Sequence, residues 1–290
     1  MPTVHANGID IWYEVRGSGP TLALSHGWLG PTEDWPPGVL EGLTQHLRVL
    51  VYDVRGHGHT SAPDDVAAYA LPTYAQDLGA LLDALDLDRV HIGGVSQGGM
   101  ISAQFVADHP ERARSLLLCD TSAGNGADEG PAGEFERAMQ GYLEQLEQIA
   151  TSMSMAELAT FRDGLNREND PHYFDYPVSP EERLAKNRRQ HERMSVAGFV
   201  GTARAIRTRP DVSARIRALE LPALVVGGEW DGFYPCSERD HALLAGSRFV
   251  RALRCGHASP DWRPEVFIAS VTQFIADVEA GRDVAAELEL

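Results

Sequence analysis

The chain is short of cysteine, short of basic residues and without a long apolar run. Its three cysteines, Cys119, Cys236 and Cys255, form no C-x-x-C pair. That spacing excludes a disulfide framework and a zinc ribbon, and reads as buried or incidental thiols. No apolar stretch approaches the ~18 residues of a membrane-spanning helix. Lys and Arg total 25 against 42 Asp and Glu, a net charge of −17. A field of that sign repels phosphate backbones and anionic lipid, so neither nucleic acid nor membrane is expected as a partner. Met1-Pro2-Thr3-Val4-His5 has neither the basic cluster nor the apolar core of a secretory signal, and a cytoplasmic location is the expectation.

What is present suits one large α/β domain. Hydrophobic residues make up 43% of 290, and a chain of this length buries roughly three quarters of its unfolded surface. Short β-branched or apolar runs recur at 9–15, 21–25, 47–52, 90–94, 115–119, 223–226 and 249–253. Several are continuous rather than alternating, as strands covered on both faces are. Helical patterns lie between them. In 73–86, Tyr74, Leu78, Leu81, Leu82 and Leu85 share a face, and Thr73 with Gln76 fits a capping box. In 264–278, Phe267, Val271, Phe274, Ile275 and Val278 make a stripe. The alternation implies right-handed crossovers and a mostly parallel sheet with helices on both faces. It breaks once, between 124 and 210, where 134–149 and 183–200 look helical. We read a core domain of 1–123 and 211–290 and a helical cap of 124–210 over the sheet's C-terminal edge, where α/β ligand sites form. The acidic tail, 281–290, is expected to fray and to be dispensable for chemistry.

Gly94-Val95-Ser96-Gln97-Gly98 closes the run at 90–94 and opens a helical pattern over 100–108. So sharp a strand-to-helix elbow holds its tip residue at positive φ, at a cost of ~1–3 kcal/mol, and glycine on either side leaves room for it. Ser96 at that tip projects its hydroxyl above the sheet. The Gln97 N–H, at a helix N-terminus, faces any anionic oxygen formed there. A serine nucleophile needs a base, and the base needs a carboxylate to fix its tautomer. His257, in Cys255-Gly256-His257-Ala258 beyond the last strand-like run, is the candidate base. Asp231, on the turn after 223–226, is the candidate acid, with Asp120 at the end of 115–119 and Glu229 as open alternatives. Ser25-His26-Gly27-Trp28 follows an early strand, so Trp28 N–H is the second oxyanion donor and its indole a pocket wall.

These segments, with Asp53-Val54-Arg55-Gly56-His57-Gly58-His59-Thr60-Ser61, resemble the α/β-hydrolase fold superfamily over about 9–278. The order Ser96, Asp231, His257 is that superfamily's order. The resemblance is to its serine-nucleophile branch, 3-oxoadipate enol-lactonase-like and small-ester hydrolases. It implies that 53–61 is a structural loop, so His57 and His59 are not metal ligands despite their H-x-H spacing. One departure is that Gly30-Pro31 sits displaced from His26-Gly27 by Trp28-Leu29. No phosphate-loop lysine or G-x-G-x-x-G spacing accompanies 93–99, so no cofactor is implied.

The expected reaction is hydrolysis of an ester or lactone of a small, largely apolar molecule through an acyl-serine. The same scaffold also serves C–C bond hydrolases of ring-cleavage products, lyases, cofactor-free dioxygenases and ligand receptors. Trp28, Tyr173, Phe174, Trp230 and Phe233 are the candidate substrate contacts, and Tyr176, Phe199 and Trp262 are further aromatics of the same regions. A basic stretch, Arg183, Lys186, Arg188, Arg189, Arg193, Arg204, Arg207 and Arg209, contains Glu192 as its only acid. It reads as a solvated helix face or, less simply, as a source of one or two arginines for a substrate carboxylate.

Overall fold

The computed structural model describes residues 2–290. Among them nine strands form one sheet: β1 Thr3–Ala6, β2 Ile9–Arg16, β3 Thr21–Ser25, β4 Arg48–Tyr52, β5 Val90–Val95, β6 Ala113–Cys119, β7 Ala223–Gly228, β8 Arg248–Ala252 and β9 Ala286–Glu289. The helices are α1 Val39–Thr44, α2 Leu71–Ala84, α3 Gln97–Asp108, α4 Pro131–Ile149, α5 Met155–Asn169, α6 Pro180–Glu192, α7 Val196–Arg207, α8 Ser213–Arg217, α9 Tyr234–Leu243, α10 Ser259–Trp262 and α11 Pro264–Glu279. The sheet order is β1-β2-β4-β3-β5-β6-β7-β8-β9. β2 pairs antiparallel with both β1 and β4, and the remaining pairings, from β4–β3 to β8–β9, are parallel.

The continuous apolar runs are explained by two cores, one on each face. Leu22, Leu24, Val49, Val51, Leu117 and Val226 point to the layer built by α1 and α11. Their neighbours Ala23, Leu50, Leu116, Leu118 and Val225 point to the layer built by α2, α3 and α9. With period-2 alternation and both faces covered, consecutive positions in the middle of these strands are apolar. Each fully buried Leu or Val is worth ~1.5–3 kcal/mol over an exposed one.

Several local expectations are corrected. Thr73 and Gln76 do not cap a helix: α2 starts at Leu71 behind Ala70, which offers no side-chain cap, and Pro72 supplies the preset φ of a first turn. The pattern at 183–200 is two helices, α6 and α7, because Ser195 accepts the Gly198 N–H at 3.0 Å and restarts the chain. α5, unassigned in the sequence reading, carries a full capping box from Ser154 and Glu157. The tail does not fray. β9 pairs parallel with β8, Leu253 N–H donates to the Leu290 carbonyl at 2.8 Å, and Val284 is buried against the α11 layer. Acidic composition hid a strand whose backbone, not its side chains, makes the attachment.

Between β6 and β7 the described chain holds α4 to α8 and no strand. α4 and α7 pack against each other, and Leu143, Leu146, Phe199 and Val200 join the apolar cluster that continues from the α2 and α3 face of the sheet. No helix of the described residues is long and apolar enough to cross a membrane.

Candidate active site

Ser96 occupies the turn between β5 and α3 with φ 55° and ψ −120°, outside the regions comfortable for a residue with a Cβ. The flanking glycines are required by close approach. A Cβ on Gly94 would strike the Gly98 and Gly99 backbone, and one on Gly98 would strike the Ser25 and His26 carbonyls. The elbow is thereby pressed against the end of β3, and an ideal Cβ on Gly27 would lie 3.4 Å from Ser96 Cβ. Two backbone donors border the serine. Gln97 opens α3, so its N–H lies outside the intrahelical ladder. Trp28 N–H has no protein acceptor among the described residues. The displaced Gly30-Pro31 is absorbed by a tight turn in which Gly30 N–H donates to the Gly27 carbonyl at 3.3 Å and Leu29 takes φ 73°.

Residues far apart in sequence converge on this point. Ser96 Oγ lies 3.0 Å from His257 Nε2, and His257 Nδ1 lies 3.0 and 3.1 Å from the two Asp231 oxygens. The Asp231 side chain is 3% exposed and also accepts the Phe233 N–H at 3.1 Å. Burial pulls the His257 imidazole down, but the charge and hydrogen bond of Asp231, with Asp120 and Asp261 behind it, outweigh that and raise it to about 9.

Asp120 does not reach the imidazole as a hydrogen-bond partner. Fully buried at φ 47°, its carboxylate accepts the N–H of Gly228 at 2.9 Å and that of Ser259 at 2.5 Å. It therefore fastens the end of β7 to the loop carrying His257. Burial raises it to about 6, with the Asp231 charge adding to the rise. Glu229 faces the surface, bonded to Arg251 and to the Arg254 N–H.

A cavity of about 310 Å³ opens beside Ser96 and His257, at the small end of ligand sites. Trp28 and Tyr173 line it, as do Tyr176 and Trp262. The other candidate contacts do not. Phe174 is 68% exposed on the surface. Trp230 stacks on His172 at 3.9 Å, and Phe233 lies against the His257 ring at 5.3 Å, so each braces a neighbour instead of facing the cavity. Phe199 is core, packed under Trp28 at 4.8 Å. From α6 the cavity is lined by Arg183 and Lys186, two members of the basic stretch, and by Asn187 and Gln190, which the sequence had not singled out. Their i, i+3, i+4, i+7 spacing, one helix face, was the available signal. Trp35, from the loop before α1, was missed without any such signal.

His26 and His57 are buried in the loops after β3 and β4. His26 Nε2 accepts the Val54 N–H at 3.0 Å and its Nδ1 bonds the Gly27 carbonyl, while burial first, then the nearby His26, push His57 down to about 3. No group of described residues has the ligand set for a metal ion.

The comparisons agree with this architecture. A Bacillus subtilis protein provisionally named 2-succinyl-6-hydroxy-2,4-cyclohexadiene-1-carboxylate synthase is 26% identical, over 96% of this chain and 100% of its own. The enol-lactonase of Burkholderia xenovorans superposes with a TM-score of 0.78 at 27% identity, covering 95% of this chain and all of that one. An esterase from Thermogutta terrifontis shares the fold at a TM-score of 0.74 and 24% identity, over 96% and 99% of the two chains. The family model for the alpha/beta hydrolase fold matches residues 20–264, and the chain belongs to that family.

Proposed function

We propose that the protein hydrolyses a carboxylic ester or lactone of a small molecule through an acyl-enzyme on Ser96. The observation that carries this reading is the unbroken hydrogen-bond chain from Ser96 Oγ through His257 to Asp231, opening on a cavity. In the mechanism His257 Nε2 takes the Ser96 proton as Oγ attacks the carbonyl, and Asp231 stabilises the resulting imidazolium. The Gln97 and Trp28 N–H groups hold the oxyanion. The alcohol leaves with the proton from His257, water repeats the attack, and the acid is released. α4 to α7 act as a cap that roofs the cavity and limits substrate size.

The test is covalent labelling. A fluorophosphonate should add one adduct, mapped to Ser96 by peptide mass spectrometry, and Ser96→Ala should lose ~10⁴–10⁶ in kcat on an ester panel. Turnover surviving in Ser96→Ala would reject the mechanism.

A further inference from the structure

Trp28, the residue of the oxyanion loop, takes its support from the helical insertion. Neither its N–H nor its carbonyl has a backbone partner among the described residues, and its indole Nε1 makes no hydrogen bond. Leu29 beyond it sits at φ 73°, a strained conformation that persists only where neighbours impose it. Packing on the indole is what remains to fix the loop. Phe199 of α7 lies 4.8 Å from that ring, and the Arg162 guanidinium of α5 lies 4.8 Å over it. Arg162 is also 6.0 Å from the Phe199 ring, so the three side chains form one cluster.

Arg162 is held in turn. Its Nε donates to the Tyr142 hydroxyl of α4 at 3.1 Å, and its Nη1 lies 3.0 Å from His191 Nε2 of α6. His191 Nδ1 lies 2.7 Å from the Asn187 carbonyl, a pure acceptor, so Nδ1 carries the proton and Nε2 accepts from the arginine. Burial first, then the Arg162 charge, push His191 down to about 4, which keeps that acceptor available near neutral pH. Both partners are neutral, and the positive charge is left to the face of the indole. One residue from each of α4, α5, α6 and α7 thus converges on Trp28. Arg162 does not line the cavity, and its path to the reacting atoms runs through Trp28 alone.

We propose that Arg162 is a positioning residue of the oxyanion hole: stacked on the Trp28 indole, it sets the angle at which the Trp28 N–H meets the tetrahedral oxygen. The proposal rests on the hydrolytic reading of Ser96 and adds a residue to it. A hydrogen bond weakens steeply as its angle closes, and an oxyanion donor acts at the place the oxygen reaches in the transition state. A Trp28 loop freed to tilt therefore costs rate while substrate binding is kept.

The experiment compares the parent protein, Arg162→Met and Arg162→Lys on 4-nitrophenyl acetate. Rates are divided by the amount of Ser96 that a fluorophosphonate labels to completion, so misfolded protein drops out. In Arg162→Met kcat should fall about ten- to hundredfold with KM within about twofold. Inhibition by 1,1,1-trifluoro-2-butanone, whose hemiketal oxygen on Ser96 takes the oxyanion position, should weaken by a similar factor. Arg162→Lys, which keeps a cation for the ring, should recover part of both. An unchanged kcat in Arg162→Met, a loss confined to KM, or a lower kcat with unchanged inhibition would overturn the positioning role and leave the hydrolase reading standing. A parent protein that neither labels at Ser96 nor cleaves the ester would overturn the hydrolytic reading, and the positioning role with it.

Discussion

At the scale of the residue, two carboxylates flank one imidazole and do different work. Asp231 bonds His257 directly, whereas Asp120 holds the backbone on either side of the site through Gly228 and Ser259. Asp231→Asn should therefore cost ~10⁴ in kcat, as loss of the orienting acid does. Asp120→Asn should cost far less, and steady-state kinetics of the pair would expose a reversed assignment. The pH profile separates them again. A base must be neutral to act, and His257 is raised from 6.5 to about 9, so kcat/KM should climb through an ionisation displaced upward toward pH 9. Asp120 contributes to that rise, so Asp120→Asn should move the limb to lower pH. The same shift makes the protonated imidazole stabilising below about pH 6.5, a contribution lost as pH rises through about 9. A limb centred at the ordinary histidine value in both proteins would contradict the electrostatics described.

At the scale of the element, the C-terminal strand is the informative case. β9 is short and mostly exposed, yet its backbone covers the edge of β8 and its approach buries Val284. Deleting 283–290 removes a ladder and a core contact, so the melting temperature should fall by several degrees, in line with a loss of ~1–3 kcal/mol. A truncated protein melting with the parent would mean the tail contributes nothing. The break between α6 and α7 teaches the reverse lesson. The serine cap at Ser195 was legible as chemistry, but helical patterns on both sides, polar in α6 and apolar in α7, concealed it.

At the scale of the whole molecule, a buried ion cluster fixes the helical insertion to the core. Glu136 on α4 pairs with Arg209 at 3.0 Å and with Arg239 of α9 at 3.2 Å, and Arg239 also holds Asp240 at 2.8 Å. Glu136 is wholly buried. Removing one member strands a buried charge, at ~3–5 kcal/mol. Arg239→Met should lower the unfolding midpoint in urea and speed amide exchange over 131–207 ahead of the sheet. Uniform exchange across the chain in that variant would show that the cluster does not anchor the insertion. The basic stretch is explained at this scale too. Arg204 and Arg207 meet Glu147, Arg209 meets Glu136, and Arg193 meets Glu33. Their partners come from other elements, so a scan of local sequence saw an unpaired run.

By itself the sequence determined the elbow, the parallel sheet and the order of Ser96, Asp231 and His257, because glycine spacing, apolar period and turn chemistry are local and act within a few residues. It also held the helix-face spacing that sets Arg183 beside Lys186 and Gln190. Only the tertiary structure decided that Asp231 and not Asp120 bonds the imidazole, since both stand at strand ends and the choice depends on which backbone amides claim each carboxylate first. Only it decided that Trp230 and Phe233 brace neighbours while Trp35 faces the cavity, because a side chain's role as wall or support follows from what packs behind it, and that partner is distant in the chain.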